Sequence, residues 1–321
     1  MPSSLKSGTE ESFYDQRVQV EIIRTAGADD VERLKLLFDD VREHDHHEAL
    51  GEHKWLDLVH GGRELFAGVI ASEKGHAHPV GYAHVSRHPR PDQAQWGLEV
   101  VVHPEHRGVG VEVELVSRAL ELVKEGGGGH VHWWVFQPSE IHDGIAHRLN
   151  LTKGRDLLHM RIDLPVAEKP VLPSSVRIRA FEAGRDEQAW LDLNNEAFQH
   201  HPEQGAWDME TLERRMREEW FDAADLLLAE DDTGLAGSNW TKLDHERKVG
   251  EIYVIAVDPR HQGSGLGRAL SLAGLEHMAG RGMRTGTLYV DASNEAALGM
   301  YRRIGFDIHH TDRAYVTDIA P

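Results

Sequence analysis

No cysteine occurs among the 321 residues. That absence removes disulfides, thiolate metal sites and a cysteine nucleophile together. A serine nucleophile has no G-x-S-x-G elbow here to support it. Long apolar runs are missing as well: none approaches ~18 residues, so no helical membrane span is expected. Residues 1–16 (MPSSLKSGTEESFYDQ) hold no apolar stretch and read as a loose tail rather than a secretory leader, so a cytoplasmic protein is expected. Positive charge is scarce, with 35 Lys and Arg against 54 Asp and Glu, a formal net charge of −19. A field of that sign repels phosphate backbones and anionic membranes, so neither nucleic acid nor membrane is an expected partner. Any anionic ligand must find donors of its own.

What is present is ordinary globular material. Hydrophobic residues are 40% and charged residues 28%, which argues against disorder outside the ends. The length suits two domains of ~150 residues. An internal repeat gives the division. LEVVVHPEHRGVGVEVEL (98–115) aligns with YVIAVDPRHQGSGLGRAL (253–270) at an offset of 155 positions. Val102 falls on Val257, Pro104 on Pro259, His106 on His261, Gly108 on Gly263, Gly110 on Gly265 and Leu115 on Leu270. The same offset carries Leu149 onto Ile304 without a gap, the pattern of a tandem duplication of one fold. LPVAEKPVLPSS (164–175), with its three prolines, reads as the extended linker. The expected organisation is a tail at 1–16, a first domain at 17–163, a linker at 164–176 and a second domain at 177–321.

Each half reads as mixed α and β, a mixed sheet with helices on its faces. In the second half, periodicity and turn residues predict strands at 176–181, 225–231, 238–244, 250–257 and 285–292. They predict helices at 186–198, 208–220, 265–280 and 294–304, the last ended by Gly305.

Chemistry concentrates in two places. Gln262-Gly263-Ser264-Gly265-Leu266-Gly267 follows a strand and opens a helix. The first N–H groups of a helix have no partner and its dipole is positive there, while glycines let a pyrophosphate approach the backbone. An ordinary glycine-rich turn would look the same taken alone. Downstream, Asn294-x-x-Ala297-x-x-x-Tyr301-x-x-x-Gly305-Phe306 places an N-capping asparagine two turns before a tyrosine on one helix face. A helical tyrosine alone is more often core; following the glycine loop, it reads as functional.

Together these residues resemble the GNAT acetyltransferase superfamily, over nearly all of the second half. Its pyrophosphate loop, Q/R-x-x-G-x-G/A, is matched by Gln262, Gly265 and Gly267. The resemblance implies two tandem GNAT domains, acetyl-CoA as co-substrate, no metal, a V-shaped split in the sheet and a strand 250–257 that hydrogen-bonds the pantetheine. It implies cofactor contacts at Ile255, Ala256 and Val257, at Gln262, Gly263, Ser264, Gly265, Leu266, Gly267 and Arg268, and at Asn294, Glu295, Ala296, Ala297, Leu298 and Gly299.

A narrower resemblance, carried by AFQHHPEQGAW (197–207), WTK (240–242), GEIYVIAVDP (250–259) and LYVDASN (288–294), is to the mycothiol synthase family of tandem GNAT enzymes. Members acetylate the cysteinyl amine of the cysteinyl-glucosaminyl-inositol precursor, the last step of mycothiol biosynthesis. One departure is Asn239 before Trp240, where the family pattern calls for histidine. The resemblance implies acceptor contacts from Glu52, Glu203, Lys242, Glu251 and Tyr289. An amine attacks a thioester as the free base, so a base at Glu251 is expected, with Tyr301 as the acid that protonates the leaving thiolate. A backbone N–H on 254–257 would hold the developing oxyanion.

The offset of 155 also reads the first half. Glu251 corresponds to Trp96 and Tyr301 to Ala146, so both proton-transfer groups are gone, and Gly267 corresponds to Glu112. The first domain is expected to be non-catalytic. The resemblance still implies a silent acetyl-CoA site there, from Val100, Val101, Val102, Arg107, Gly108, Val109, Gly110, Val111 and Glu112. His44-Asp45-His46-His47 lacks a helical pair with a carboxylate base, so no metal is expected there. GGGG at 126–129 reads as a flexible connector. A monomer acting on a small-molecule amine is the expectation. The rivals are a GNAT enzyme for another amine (an aminoglycoside, a polyamine or a protein N-terminus) and an acyl-CoA-sensing module without turnover.

Overall fold

The computed structural model describes residues 18–60, 66–76, 78–88, 94–199 and 207–321. The expected tail at 1–16 and the acceptor candidate Glu203 lie outside the described residues. In chain order the elements are β1 (Val18–Ile23), α1 (Ala28–Asp45), α2 (Glu52–His60), β2 (Phe66–Glu73), β3 (Pro79–His88), β4 (Gln95–Val102), α3 (Val111–Glu125), β5 (Gly129–Val135), α4 (Glu140–Arg148) and β6 (Thr152–Asp163). The second repeat follows with β7 (Arg177–Ala180), α5 (Glu187–Ala197), α6 (Met209–Met216), β8 (Leu226–Asp231), β9 (Gly234–Asp244), β10 (Val249–Val257), α7 (Leu266–Gly280), β11 (Thr285–Asp291), α8 (Glu295–Ile304) and β12 (Asp307–Ile319). Among the described residues, no helix is long and apolar enough to cross a membrane.

Two compact units form, one from residues 1–156 with 312–321 and one from residues 157–311. In the first, the strand order is β1-β2-β3-β4-β5-β12, antiparallel except for β4 beside β5. In the second, it is β6-β11-β10-β9-β8-β7, antiparallel except for β10 beside β11. The unit boundaries fall inside β6 and β12. Leu157–Asp163 of the first repeat pair with β11, and Arg313–Ile319 of the second pair with β5. Each unit is therefore completed by the last strand of the other repeat. The segment 164–176 carries no helix or strand.

Most expected elements form within a few residues of their expected ends, because caps and turn residues set them. Asp208 caps α6 by accepting from Thr211 N–H at 2.8 Å, and Asn294 caps α8 by accepting from Ala297 N–H at 3.1 Å. Gly305 ends α8 in the left-handed conformation at φ 116°. The 126–129 stretch differs from its expectation of a flexible connector. A Cβ on Gly128 would lie 2.3 Å from the Ile319 carbonyl oxygen, so the segment is packed against backbone.

The second unit's sheet buries its two faces separately. On one side α7 and α8 pack Leu272, Leu275, Met278, Leu298 and Tyr301 against Ile252 and Leu288. On the other, α5 and α6 pack Trp190, Leu191 and Leu212 against Trp240 and Val254. The start of α5 is tied to the sheet by Asp186, 4% exposed, which accepts from the Arg179 and Arg185 guanidinium groups and from Glu182 N–H. Burial works against its charge, but these hydrogen bonds outweigh it and hold the carboxyl well below its ordinary range.

Candidate active site

The glycine loop of the second repeat forms as a tight turn leading into α7. Asp258 accepts from Arg260 N–H at 2.7 Å, and the Ser264 hydroxyl donates to the His261 carbonyl at 2.5 Å. Gly263 and Gly265 take φ of 75° and 87°, the left-handed region that an L side chain enters at a cost of about 1 kcal/mol. Nothing lies within 4 Å of where a Cβ on either glycine would stand. Gln262, Gly263, Ser264 and Gly265 are exposed. The loop thus presents a bare backbone at a helix N-terminus, the arrangement that receives a pyrophosphate. Of the expected loop residues, Arg268 has its guanidinium engaged by Glu168, at 2.6 Å.

The loop of the first repeat has the same backbone, with Gly108 at φ 70° and Gly110 at φ 99° opening α3. Its side chains differ. Glu112, 7% exposed, accepts from Gly108 N–H at 2.9 Å. The Arg107 guanidinium is clamped by both oxygens of Asp45, at 2.6 and 2.8 Å, and its Nε donates to the Val102 carbonyl. Arg107, Glu112 and Val100–Val102 line a cavity of about 310 Å³ together with Asp45, Phe136, Gln137 and His142. Trp96 and Ala146, the counterparts of Glu251 and Tyr301, are both buried.

In the second unit, β10 and β11 pair only over Val249–Ile252 with Thr285–Leu288, although β10 continues to Val257. The strands part there, giving the split that the family resemblance implies and leaving the edge of 253–257 outside the β11 ladder. A β-bulge accompanies the parting: opposite β9, Ile252 pairs Thr241 and Val254 pairs Trp240, so Tyr253 is the extra residue. The bulge shifts the alternation. Tyr253 and Val254 both face α5 and α6, while Ile255 and Val257 turn to the α7 side.

Three of the expected acceptor residues share the α5/α6 face. Glu251 stands in register with Lys242 on β9 and with Thr287 on β11. Tyr289, 43% exposed, follows two residues after Thr287, one position beyond the last β10 pair. Lys242 Nζ lies 4.7 Å over the Trp220 ring and 5.7 Å over Tyr253, a cation–π arrangement. Glu52 is the first residue of α2 in the other unit. Asn239 does not reach this face: it is fully buried, and its Nδ2 donates to the Leu270 carbonyl of α7 at 2.8 Å.

Tyr301 lies on α8, 5% exposed, with its ring 5.6 Å from Phe306. Burial pushes its phenol up to about 12, against a hydrogen bond with Ser271 that works the other way. It is therefore a protonated donor at any ordinary pH.

Sequence reasoning missed several residues of this face. Arg215, buried, donates from Nε to Tyr253 Oη at 3.0 Å and stacks over Trp207 at 4.0 Å. His159 of β6 pairs with Tyr289, their rings 4.7 Å apart. Burial first, and then the charges around His310, His309 and Arg161, push His159 down to about 3, so it stays neutral. Strict strand alternation would have pointed to Tyr253; nothing local signals His159, because it comes from the other repeat.

Known proteins are similar to this chain in architecture and in sequence. The acetyltransferase (GNAT) family matches residues 31–142 and again 188–306. A mycothiol acetyltransferase of Acidimicrobium ferrooxidans is 40% identical over 86% of this chain and 90% of its own. One from Thermobispora bispora is 39% identical over 93% of this chain and 99% of its own. Among solved structures, a GCN5-related N-acetyltransferase from Sphaerobacter thermophilus superposes with a TM-score of 0.69 at 24% identity, covering 94% of this chain and 96% of that one. A tandem GNAT protein of the clavulanic acid biosynthesis pathway gives 0.71 at 17% identity over 94% and 99%, a likeness of fold. The chain belongs to the GNAT acetyltransferases and, within them, to the mycothiol acetyltransferase family.

Proposed function

We propose that this acetyltransferase moves the acetyl group of acetyl-CoA to the cysteinyl amine of the cysteinyl-glucosaminyl-inositol precursor of mycothiol, and that the second repeat alone does so. The observation that carries the reading is the parting of β10 and β11, with Glu251, Lys242 and Tyr289 on one face of it and the bare glycine loop at the start of α7. The loop, Asn294 and the first turn of α8 hold the CoA moiety, and the edge of 254–257 holds its pantetheine arm. The acceptor lies along the α5/α6 face, where Lys242 and Tyr289 meet its polar groups.

The chemistry follows from these groups. Glu251 takes a proton from the ammonium, directly or through water, before the free amine attacks the thioester carbon, and the attacking nitrogen gives up its second proton to water as the tetrahedral intermediate forms. A backbone N–H of the parted edge stabilises the oxygen as it gains charge. The C–S bond then breaks, and Tyr301, protonated by virtue of its burial, gives its proton to the departing thiolate. No covalent enzyme intermediate is needed, consistent with a chain that lacks cysteine.

Incubation with acetyl-CoA and a panel of amines, followed by mass spectrometry of the acetylated products, tests the assignment. The precursor should be acetylated in strong preference to aminoglycosides, polyamines and peptide N-termini. A better substrate among those three would replace the assigned acceptor. No product from any amine would leave only an acyl-CoA-binding module.

A further inference from the structure

Three histidines that the proposed reaction does not use meet in the second unit. His159 is on β6, and His309 and His310 are consecutive on β12; one ring nitrogen of each lies within 4.8 Å of the others. His309 Nδ1 and His310 Nδ1 are 2.9 Å apart. The His159 ring centre is 4.4 Å from that of His310 and 5.5 Å from that of His309. His159 Nδ1 is buried with no hydrogen-bond partner among the described residues. A buried polar nitrogen left this way is uncommon and calls for an unseen partner.

We propose that His159, His309 and His310 form a binding site for a divalent transition ion, Zn²⁺ by its all-imidazole ligand set. Imidazole nitrogens suit zinc, copper and nickel, and three protein ligands leave a fourth position for water or another donor. Tetrahedral zinc at Zn–N of about 2.0–2.1 Å needs nitrogens about 3.3 Å apart. The 2.9 Å pair must open slightly and the wider pairs, up to 4.8 Å, must close by about 1.5 Å. Side-chain rotation accomplishes this, since His309 is exposed and His310 half-buried.

Arg161 tunes the site. Its Nη1 donates to His309 Nε2 at 3.2 Å, which makes that nitrogen the acceptor and leaves the proton on Nδ1, shared with His310. Coordination by His309 Nδ1 moves this proton to Nε2, with no net release, and Nε2–H then faces the guanidinium. Arg161 is exposed and must swing aside, so it opposes the ion both by charge and by hydrogen bonding.

The test uses full-length protein freed of purification tag and of metal, titrated with Co²⁺ as a visible probe and with Zn²⁺ by calorimetry. One ion per chain is expected, with the absorption bands of tetrahedral Co²⁺. Outer ligand partners alone are worth roughly 10–100-fold in metal affinity, so His309→Gln and His310→Gln should each weaken binding by at least about 100-fold. Arg161→Gln should tighten it, and His44→Gln, on α1, should leave it unchanged. Equal Zn²⁺ binding by the wild type and the His309→Gln variant, or no saturable binding by the wild type, overturns the assignment.

Discussion

The Glu112 carboxylate, in the first turn of α3, accepts a hydrogen bond from the Gly108 backbone N–H at 2.9 Å. The same positions of the second repeat are Gly267 and Gly263, where no carboxylate reaches the loop and the Ser264 hydroxyl accepts from Leu266 N–H at 3.3 Å. The two loops share a backbone conformation, and the carboxylate of Glu112 is one of the side chains by which they differ. In the first, the helix N-terminus is met by a carboxylate of the protein itself; in the second it is not.

Gly267→Glu should therefore install the first loop's plug in the second. A Cβ there meets Val257 Cγ2 at 3.6 Å, ordinary contact, so the fold should tolerate it. Acetyl-CoA affinity should fall about 100-fold, equivalent to about 2.8 kcal/mol. Calorimetry checks both this and its converse: Glu112→Ala should raise the acetyl-CoA stoichiometry from one site to two. A wild-type protein that already binds two would refute the plug.

Tyr301→Phe keeps the ring beside Phe306 and removes the donor. Turnover should fall about 100-fold or more with acetyl-CoA affinity little changed. Because its folded value is raised to about 12 above an ordinary 10, Tyr301 contributes stability that is complete below pH 10 and lost as pH rises through 12. Single-turnover rates measured from pH 7 to 9 should therefore show no titration of this group. A wild-type rate in the Phe variant would remove Tyr301 from the mechanism.

Glu251→Gln separates a base from a binding group. The defect in turnover should be greatest at acidic pH, where the acceptor amine is protonated, and should shrink as pH rises past an α-amino pKa of about 8. A purely binding role would raise KM without that recovery. Steady-state kinetics across pH distinguish them, and Tyr301→Phe should not share the recovery.

Asp186→Asn tests the anchor of α5. Loss of the charge that binds Arg179 and Arg185 should cost about 2 kcal/mol near pH 7, below the roughly 3–5 kcal/mol of a fully buried pair because Arg185 is half-exposed. Asp186 has a depressed folded pKa, so its contribution is present above the unfolded value near 4 and is lost as pH falls below it. Urea midpoints of wild type and variant should draw together progressively as pH falls below about 4. A gap that stays constant with pH would assign the cost to packing instead.

Much of the candidate site's local geometry was legible because its parts are local. The glycine loop needs only a strand, two left-handed residues and a helix, and Gly263 and Gly265 announce all three. Asn294, Tyr301 and Gly305 follow from helix periodicity and capping. The loss of Glu251 and Tyr301 in the first repeat required only the offset of 155. Other features were not legible. The bulge at Tyr253 moves Ile255 to the opposite face from the one alternation assigns, since an extra residue in a strand shows only against its partner. Asn239 reads as a cleft residue beside Trp240, yet the same pleat turns it into α7.

The sequence by itself determined the duplication, the α and β elements of each repeat and the acetyltransferase family. These depend on residue identity and on spacings of a few positions, which helix and turn geometry convert directly into placement. Tertiary structure alone decided which strand completes which sheet: β6 joins β11 and β12 joins β5, each across the boundary of the repeats. It alone turned Glu112 onto Gly108 and brought His159 beside His309 and His310. Strand pairing over such separations is chosen by burial and backbone hydrogen bonding of whole segments, and no local periodicity encodes that choice.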